Sequence, residues 1–488
     1  MNKRNNGRRT LLFIMIVLLI AGCIVAIPRF TYSSNYEKGD YEKEVNSIPD
    51  MHSCEEDHTL PVVVIHTNGQ NIETISDSLI DENTARYHVD FSLYDVNSDG
   101  RVCVDSESKP AIKERVEIGI RGQSSRVHPK KQFSLKFINE NGEEKDVSPL
   151  NMPKDSEWVL NGISADSSLI RNHIAYQVSG EIMAFAPETQ FVEVYILDDQ
   201  ANEVNDVSYR GVYMLMEKIT RSSDRVNINK TDEGYTDTSF IIARDKIKEG
   251  EPVLDSLWSS VLTDQIVSAD GTVKKRSRLT YVYPGKTRIT DNQKQMIVNY
   301  INDFELTLYS RDFTNKRSGY RKYIDVDSFV DYAIINDFFN NVDGGDVSTY
   351  FYKDIGGRLH AGPVWDFDLI LGSPDNSPYS SAEGYRMFNT TWFDQLFKDP
   401  YFVDTYIERY QYLRKNVLSE TYLYNLIDQA VEQLGDAVQR NHAKWYSAAS
   451  QAEEYKKEIQ QMKDYIAKRS SWMDQNTAIL YRMNESDL

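Results

Sequence analysis

The sequence predicts an α+β protein of two lobes, strand-rich in its first half and helix-rich in its second, preceded by an N-terminal membrane anchor. Three observations carry that expectation. Short runs alternating apolar and polar residues recur between residues 60 and 219. From Thr290 onward apolar residues recur at helical spacing. The chain also opens with basic residues followed by an uncharged apolar run. Period 2 marks strands and period 3.6 marks helices, and strands followed by helices give an α+β architecture.

In the first segment, Lys3, Arg4, Arg8 and Arg9 precede the apolar run from Leu11 to Ile27. Basic flanks stay on the cytoplasmic side, so the remainder is expected outside the membrane. The run sits at the lower limit for spanning a bilayer, about 17 residues. Ile20-Ala21-Gly22-Cys23 also resembles a lipoprotein box, with Cys23 as the lipidated residue, although Ile24 to Ile27 continue the apolar run. Single-pass and lipid-anchored attachment therefore both stand. Residues 1–30 are assigned to this signal or anchor segment and 31–58 to a polar linker. Residues 59–480 form the main domain, strand-rich over about 59–285 and helix-rich over about 286–480.

Pro61-Val62-Val63-Val64-Ile65 is a β-branched run and opens the ordered part. Tyr87 to Asp95, Arg115 to Arg121 and Gln132 to Phe137 alternate, and Glu188 to Leu197 and Tyr209 to Ile219 are further strands. Ser168 to Val178 has helical spacing, which gives a largely antiparallel sheet with one inserted helix. Thr290-Asp291-Asn292-Gln293 is a cap-like start to a helix reaching Tyr309. Asp325 to Asn340 carries Val326, Phe329, Val330, Ala333 and Ile334 on one apolar face, and further helices follow near Trp392–Lys415, Glu420–His442 and Ala452–Asn476. The cleft between the lobes is the expected ligand site.

Across 488 residues the formal net charge is -19, which argues against a general nucleic-acid binder. Beyond the N-terminal segment only Cys54 and Cys103 remain. Cys54 falls in the linker, so two unpaired thiols are expected, and without a Cys/His cluster a structural zinc site is not.

The most informative stretch is Asn340 to Tyr352, containing Asp343, Gly344, Gly345, Asp346 and Ser348, followed by Gly362-Pro363-Val364-Trp365-Asp366-Phe367-Asp368. Carboxylates from two neighbouring turns can meet at a divalent cation and a phosphate, which suits phosphoryl transfer. Capping of ordinary turns is the plainer alternative for each cluster alone. Together, a helix delivers Asp343 and a hairpin-like unit leads to Asp366, the order in which protein kinases present the catalytic base and the metal-binding acid. The HRD and DFG signatures are absent.

Ile118 to Arg126, with Arg121 and Ser124, ends a strand in a Gly/Ser turn able to line phosphate oxygens. A plain hairpin is the alternative, and no Walker A spacing is present. On the returning strand Lys131 shares a face with Phe133, Leu135 and Phe137, while Lys130 shares the other with Gln132, Ser134 and Lys136. Lys131 is thus the first candidate to project into the cleft and Lys130 the second. Gly211 to Ile219 is either a core strand emerging into solvent or the connection between lobes, where Glu217 meets a nucleotide base. Asp95 to Gly100 mimics a calcium loop without the acid at its twelfth position and is better read as a hairpin turn.

These residues resemble the CotH-type family, the spore coat protein H-like atypical protein kinases. The matching pieces are Arg121 to Ser125 with Pro129-Lys130-Lys131, Ser168 to Asn172, Gly211 to Glu217, and the Asp343–Asp368 block. They run in the family's order from about residue 60 to 420. The resemblance implies a divergent protein-kinase-like fold outside the cytoplasm that binds ATP with Mg²⁺ (or Mn²⁺) and phosphorylates serine on envelope or coat proteins. It implies Asp343 as catalytic base, Asp366 as metal-binding acid and Asp368 as supporting ligand. Lys131 or Lys130, with Arg121 and Ser124, would contact the nucleotide phosphates, and Glu217 would lie near the base. Ser348 stands where many members place an Asn, which bears on the second metal position. Two non-kinase readings compete: a pseudokinase scaffold for envelope or coat assembly, and a calcium-dependent adhesion or glycan-binding protein.

Overall fold

Seven strands close into a barrel: β1 (Val62–His66), β2 (Tyr87–Tyr94), β3 (Ile112–Ile120), β4 (Phe133–Ile138), β5 (Glu157–Asn161), β6 (Thr189–Leu197) and β7 (Tyr209–Glu217). Their order is β1-β2-β3-β4-β5-β7-β6, and β6 returns to pair with β1 in parallel. The expected antiparallel sheet is therefore closed by one parallel seam, which leaves no strand edge exposed. The computed structural model describes residues 58–74, 86–105, 108–122, 124–198, 203–231, 235–246, 253–254, 277–373, 380–446 and 451–482. The chain divides into two units, Met1–Ser53 and Cys54–Leu488. The expected anchor with Cys23, and the linker up to residue 57, lie outside the described residues. Among the described residues no helix is long and apolar enough to cross a membrane.

Alternation explains the barrel. Val63, Phe91, Ile118, Leu135, Val194 and Tyr213 belong to one buried cluster that fills it. The apolar face of β4 therefore points into the barrel and not into a cleft. On β7 the intervening Val212, Met214 and Met216 are buried in the larger core shared with the helices. The barrel is thus covered by helices on this side.

A second sheet has the order β11-β10-β8-β9, from β8 (Phe240–Lys246), β9 (Ser277–Tyr283), β10 (Thr349–Lys353) and β11 (Leu359–Ala361). The unit expected between the two acidic clusters is the hairpin β10–β11, joined in register to β8. Strands β5, β8 and β9 were not expected. In β5 and β8 the burial is nearly continuous, with no alternation to read.

The helices are α1 (Arg171–Gly180), α2 (Asp291–Leu308), α3 (Val326–Phe339), α4 (Phe393–Leu396), α5 (Pro400–Arg414), α6 (Glu420–Leu434), α7 (Ala437–Trp445), α8 (Gln451–Asn476) and α9 (Ile479–Arg482). Thr290 and Gln293 form the expected capping box at α2. Helix α3 departs from the expected single apolar face, because every residue from Phe329 to Phe339 is buried. It is the central helix of the helical part. The expected helix over Trp392–Lys415 is two, since Asp399 caps a new start with Pro400 at its first turn. Glu420–His442 likewise breaks at Gly435 (φ +45°).

Cys103 is disulfide-bonded, which corrects the expectation of two free thiols. The other two cysteines, Cys23 and Cys54, fall outside the described residues. In the Asp95–Gly100 segment the Asn97 side chain accepts from the N–H groups of Asp99 and Arg101, closing a tight turn in the connection from β2 to β3, and Val102 beyond it pairs with His58, not with β2.

Candidate active site

Helix α3 ends at Asn340, which takes a left-handed conformation (φ +52°) and turns the chain sharply. Asn341, itself buried, donates from its side chain to Asn336 Oδ1 (3.0 Å), and its Oδ1 accepts the Asp343 N–H (3.2 Å). The Asp343 carbonyl then accepts the N–H groups of Asp346 (3.0 Å) and Val347 (2.8 Å). Thr349 Oγ1 receives the Gly345 N–H (2.9 Å). The two glycines are needed for close approach. A Cβ on Gly344 would lie 2.4 Å from Asn336 Oδ1, and one on Gly345 would lie 2.3 Å from Thr390 Oγ1. The loop is therefore pressed onto the helical core with Asp343 at its bend.

The second acidic segment leaves β11 through Gly362 and Pro363. Trp365 stacks on Tyr176 (6.3 Å between centroids), and the Arg121 guanidinium lies over its ring at 5.2 Å. Asp366 adopts φ +67°, a conformation that non-glycine residues rarely enter. The Ser348 hydroxyl donates to Asp366 Oδ2 at 3.3 Å, so the two loops touch.

Electrostatics tie the acids together. Burial, followed by the nearby Asp343 charge, pushes the Asp366 carboxyl above its ordinary range, while Arg121, the Ser348 hydroxyl and Lys246 draw it down. Asp368 is pushed well above its range by burial, then by Asp366, Asp166 and Asp343. Like charges crowded in a low dielectric invite a cation. Among the described residues no group of three or more His, Cys, Asp or Glu is arranged as a ready-made metal cage. Mg²⁺ typically binds through one or two carboxylates, keeps several waters and takes the rest of its shell from substrate phosphates. The hard oxygen donors Asp366, Asp368 and Ser348 suit it.

The structure thus brings together Asp343, Ser348, Asp366 and Asp368, with Arg121 beside them. Ser124 starts the short 3₁₀ turn Ser124–Val127. Lys131 Nζ donates to the Arg126 carbonyl (2.9 Å), closing that same turn. Lys130 goes elsewhere. Its ammonium is buried, donates to the Val212 carbonyl (2.5 Å) and Asn441 Oδ1 (2.8 Å), and lies over the Tyr213 ring. Burial pushes its pKa well below the usual lysine value. Glu217 is also turned away from the acids. It accepts the Glu188 N–H (2.9 Å) and an Arg225 Nε hydrogen (3.2 Å). Burial, the largest influence, lifts it to about 7.

Sequence reasoning missed Lys246, at the end of β8, whose charge reaches Asp366. Its only signal was a basic residue three positions beyond the apolar run Phe240–Ala243. It also missed Asp337, a buried acid that accepts from the N–H groups of Arg386 (2.7 Å) and Met387 (3.0 Å) and from Tyr406 Oη (3.0 Å). Nothing in the α3 pattern separates Asp337 from a solvated acid.

A protein-family model described as CotH kinase protein matches residues 118–473, well over half of the chain. The chain belongs to the CotH kinase family. The match starts within β3 and ends within α8. It thus begins later and extends further than the sequence motifs suggested, taking in α6 and α7 and most of α8. Both acidic loops lie inside the CotH kinase region. A search of the curated proteins finds no match.

Proposed function

We propose that this CotH kinase family member is an extracytoplasmic atypical protein kinase, transferring the γ-phosphoryl group of ATP to serine of an envelope or coat protein. The observation that carries this reading is the junction of the two loops. Ser348 bonds to Asp366, and Asp343, Asp366 and Asp368 share one electrostatic field. In this reading the Asp343 carboxylate accepts the serine proton as Oγ attacks the γ-phosphorus. The bond to the β,γ-bridging oxygen breaks and ADP leaves. Asp366 and Asp368, with Ser348, would hold Mg²⁺, which supplies charge neutralisation on the phosphates. Arg121, fixed over Trp365, is the cation best placed to meet phosphate oxygens, with Lys246 on the second sheet. Lys131 and Ser124 remain the further candidates for phosphate contact. Lys130 and Glu217 are assigned instead to holding the barrel. Positioning outside the membrane rests on the basic-then-apolar N-terminus.

A second reading, a catalytically weak pseudokinase scaffold, is favoured by one observation: a hydroxyl at Ser348 is a poorer metal donor than an amide carbonyl. Calorimetric titration of the purified full chain with ATP, with and without Mg²⁺, tests the enzyme reading. Binding that strengthens with Mg²⁺ and is lost in Asp366→Ala supports it. An absence of nucleotide binding refutes it.

A further inference from the structure

The motif Ser168-Leu169-Ile170-Arg171-Asn172 resembles the family yet has no chemistry in the reading above, and the structure assigns it one. We propose that helix α1 is a positioning element that holds the Asp366 carboxylate in its metal-binding pose, with Asn172 and Tyr176 as its contacts and Arg171 as its anchor. This rests on the reading of Asp366 as a metal ligand.

Three hydrogen bonds support it. Tyr176 Oη accepts the Asp366 N–H at 3.1 Å, and Asn172 Oδ1 accepts the Phe367 N–H at 2.6 Å. Arg171 Nε donates to the Ile370 carbonyl at 2.8 Å. Asn172 and Tyr176 are four apart and so share a helix face. All three side chains are at most 3% exposed, so water does not offer these backbone groups an alternative. The two accepting side chains grip the residue with left-handed φ and its successor, where a non-glycine residue most needs support. Repulsion among Asp343, Asp366 and Asp368 acts against that pose, because any outward relaxation of the loop separates the charges. Helix α1 is the opposing clamp.

The anchor extends to the far helix. Arg171 Nη1 is bonded to Asp166 and to Glu458 Oε1 (2.7 Å) on α8, and Ser167 Oγ donates to Glu458 Oε2. The acidic loop, α1 and α8 therefore form one connected set of buried and half-buried polar contacts. Side chains that orient metal ligands in this way typically change metal affinity by about 10–100-fold when removed.

The test measures Mn²⁺ binding to the full chain in the presence of ATP, read by the electron paramagnetic resonance signal of free Mn²⁺. Tyr176→Phe deletes only the hydroxyl, and Asn172→Leu removes the whole amide, the Oδ1 acceptor included, at similar volume. Each is expected to raise the half-saturating Mn²⁺ concentration about tenfold or more, with metal-free ATP affinity unchanged. His173→Gln is the control on the same helix, since His173 contacts Thr189 and not the loop. It is expected to bind Mn²⁺ like the wild type. The proposal is overturned if Tyr176→Phe and Asn172→Leu bind Mn²⁺ as the wild type does while Asp366→Asn does not. It is also overturned if His173→Gln weakens binding equally. Failure of the wild type to bind Mn²⁺ overturns the Asp366 reading itself, and this inference with it.

Discussion

Replacing Gly345 with Ala should disable the acidic loop without unfolding the protein. The added Cβ would lie 2.3 Å from Thr390 Oγ1, 2.6 Å from its Cβ and 2.9 Å from its Cγ2. Carbon contacts are comfortable only from about 3.5 Å. The loop or Thr390 must therefore yield by about 1 Å. Thr390 is pinned, being 1% exposed and donating to the Met387 carbonyl at 2.8 Å, so the loop is the part that gives. The φ of +84° adds about 1–2 kcal/mol of strain for any side chain. A displacement of about 1 Å at a catalytic carboxylate costs on the order of 100-fold in rate, or about 2.7 kcal/mol of barrier. The assay is transfer of ³²P from ATP to an added protein acceptor, with circular dichroism as the folding control. Gly356→Ala separates strain from clash, because Gly356 has φ +68° but open space around its Cβ position. It should keep near-normal transfer. The double variant Gly345→Ala with Thr390→Gly, which removes the clashing atoms, should recover part of the rate. If Gly345→Ala turns over within about threefold of the wild type, close packing against Thr390 is not what positions Asp343.

Three further predictions concern residues whose roles the structure separates. Lys130→Met should lower the unfolding temperature by a few degrees, because the buried Val212 carbonyl loses its ammonium donor at about 1–3 kcal/mol; the KM for ATP should not change, and a tenfold rise would return Lys130 to the nucleotide. Arg121→Gln, which keeps a polar side chain but removes the charge over Trp365, should raise the KM for ATP about tenfold or more, and an unchanged KM would remove Arg121 from the phosphate site. Glu193 governs acid stability. Burial pushes its carboxyl up, but hydrogen bonds from His58 and Arg440 outweigh this and hold it at about 2, below the ordinary 4.5. A depressed carboxyl stabilises the fold above its unfolded pKa and loses that contribution as pH falls from about 4.5 to 2, here about 3 kcal/mol. Denaturant titrations across that window should show the loss in the wild type and a flatter profile in Glu193→Gln.

Much of the fold was legible because local pattern and tertiary role agreed. The strand alternation of Val89, Phe91 and Leu93, or of Phe133, Leu135 and Phe137, survives unchanged as the filling of the barrel. The capping box at Thr290 was readable because its partners lie three residues apart. The acidic block was legible too, since a helix end and a hairpin suffice to bring Ser348 to Asp366. What was not legible depends on distant chain. Lys130 lies in the turn just before β4, where a solvated lysine is expected. It is buried only because Asn441, 311 residues later, arrives on α7 to cover it. Glu193 is fully buried for the same reason, held by Arg440 from 247 residues away. The apolar face next to Lys131 turned inward because the sheet closes, and closure is a property of all seven strands together. The role proposed for Asn172 and Tyr176 was invisible because their partners are backbone groups, which carry no sequence signal.

The most direct measurement is phosphoryl transfer itself: the purified full chain, [γ-³²P]ATP, Mg²⁺ or Mn²⁺, and a serine-containing protein acceptor, followed by phosphoamino-acid analysis. The account predicts metal-dependent label on serine, reduced at least 100-fold in both Asp343→Asn and Asp366→Asn while both variants remain folded. Label that persists in either variant, or no transfer by a wild-type chain that binds ATP and metal, would contradict it.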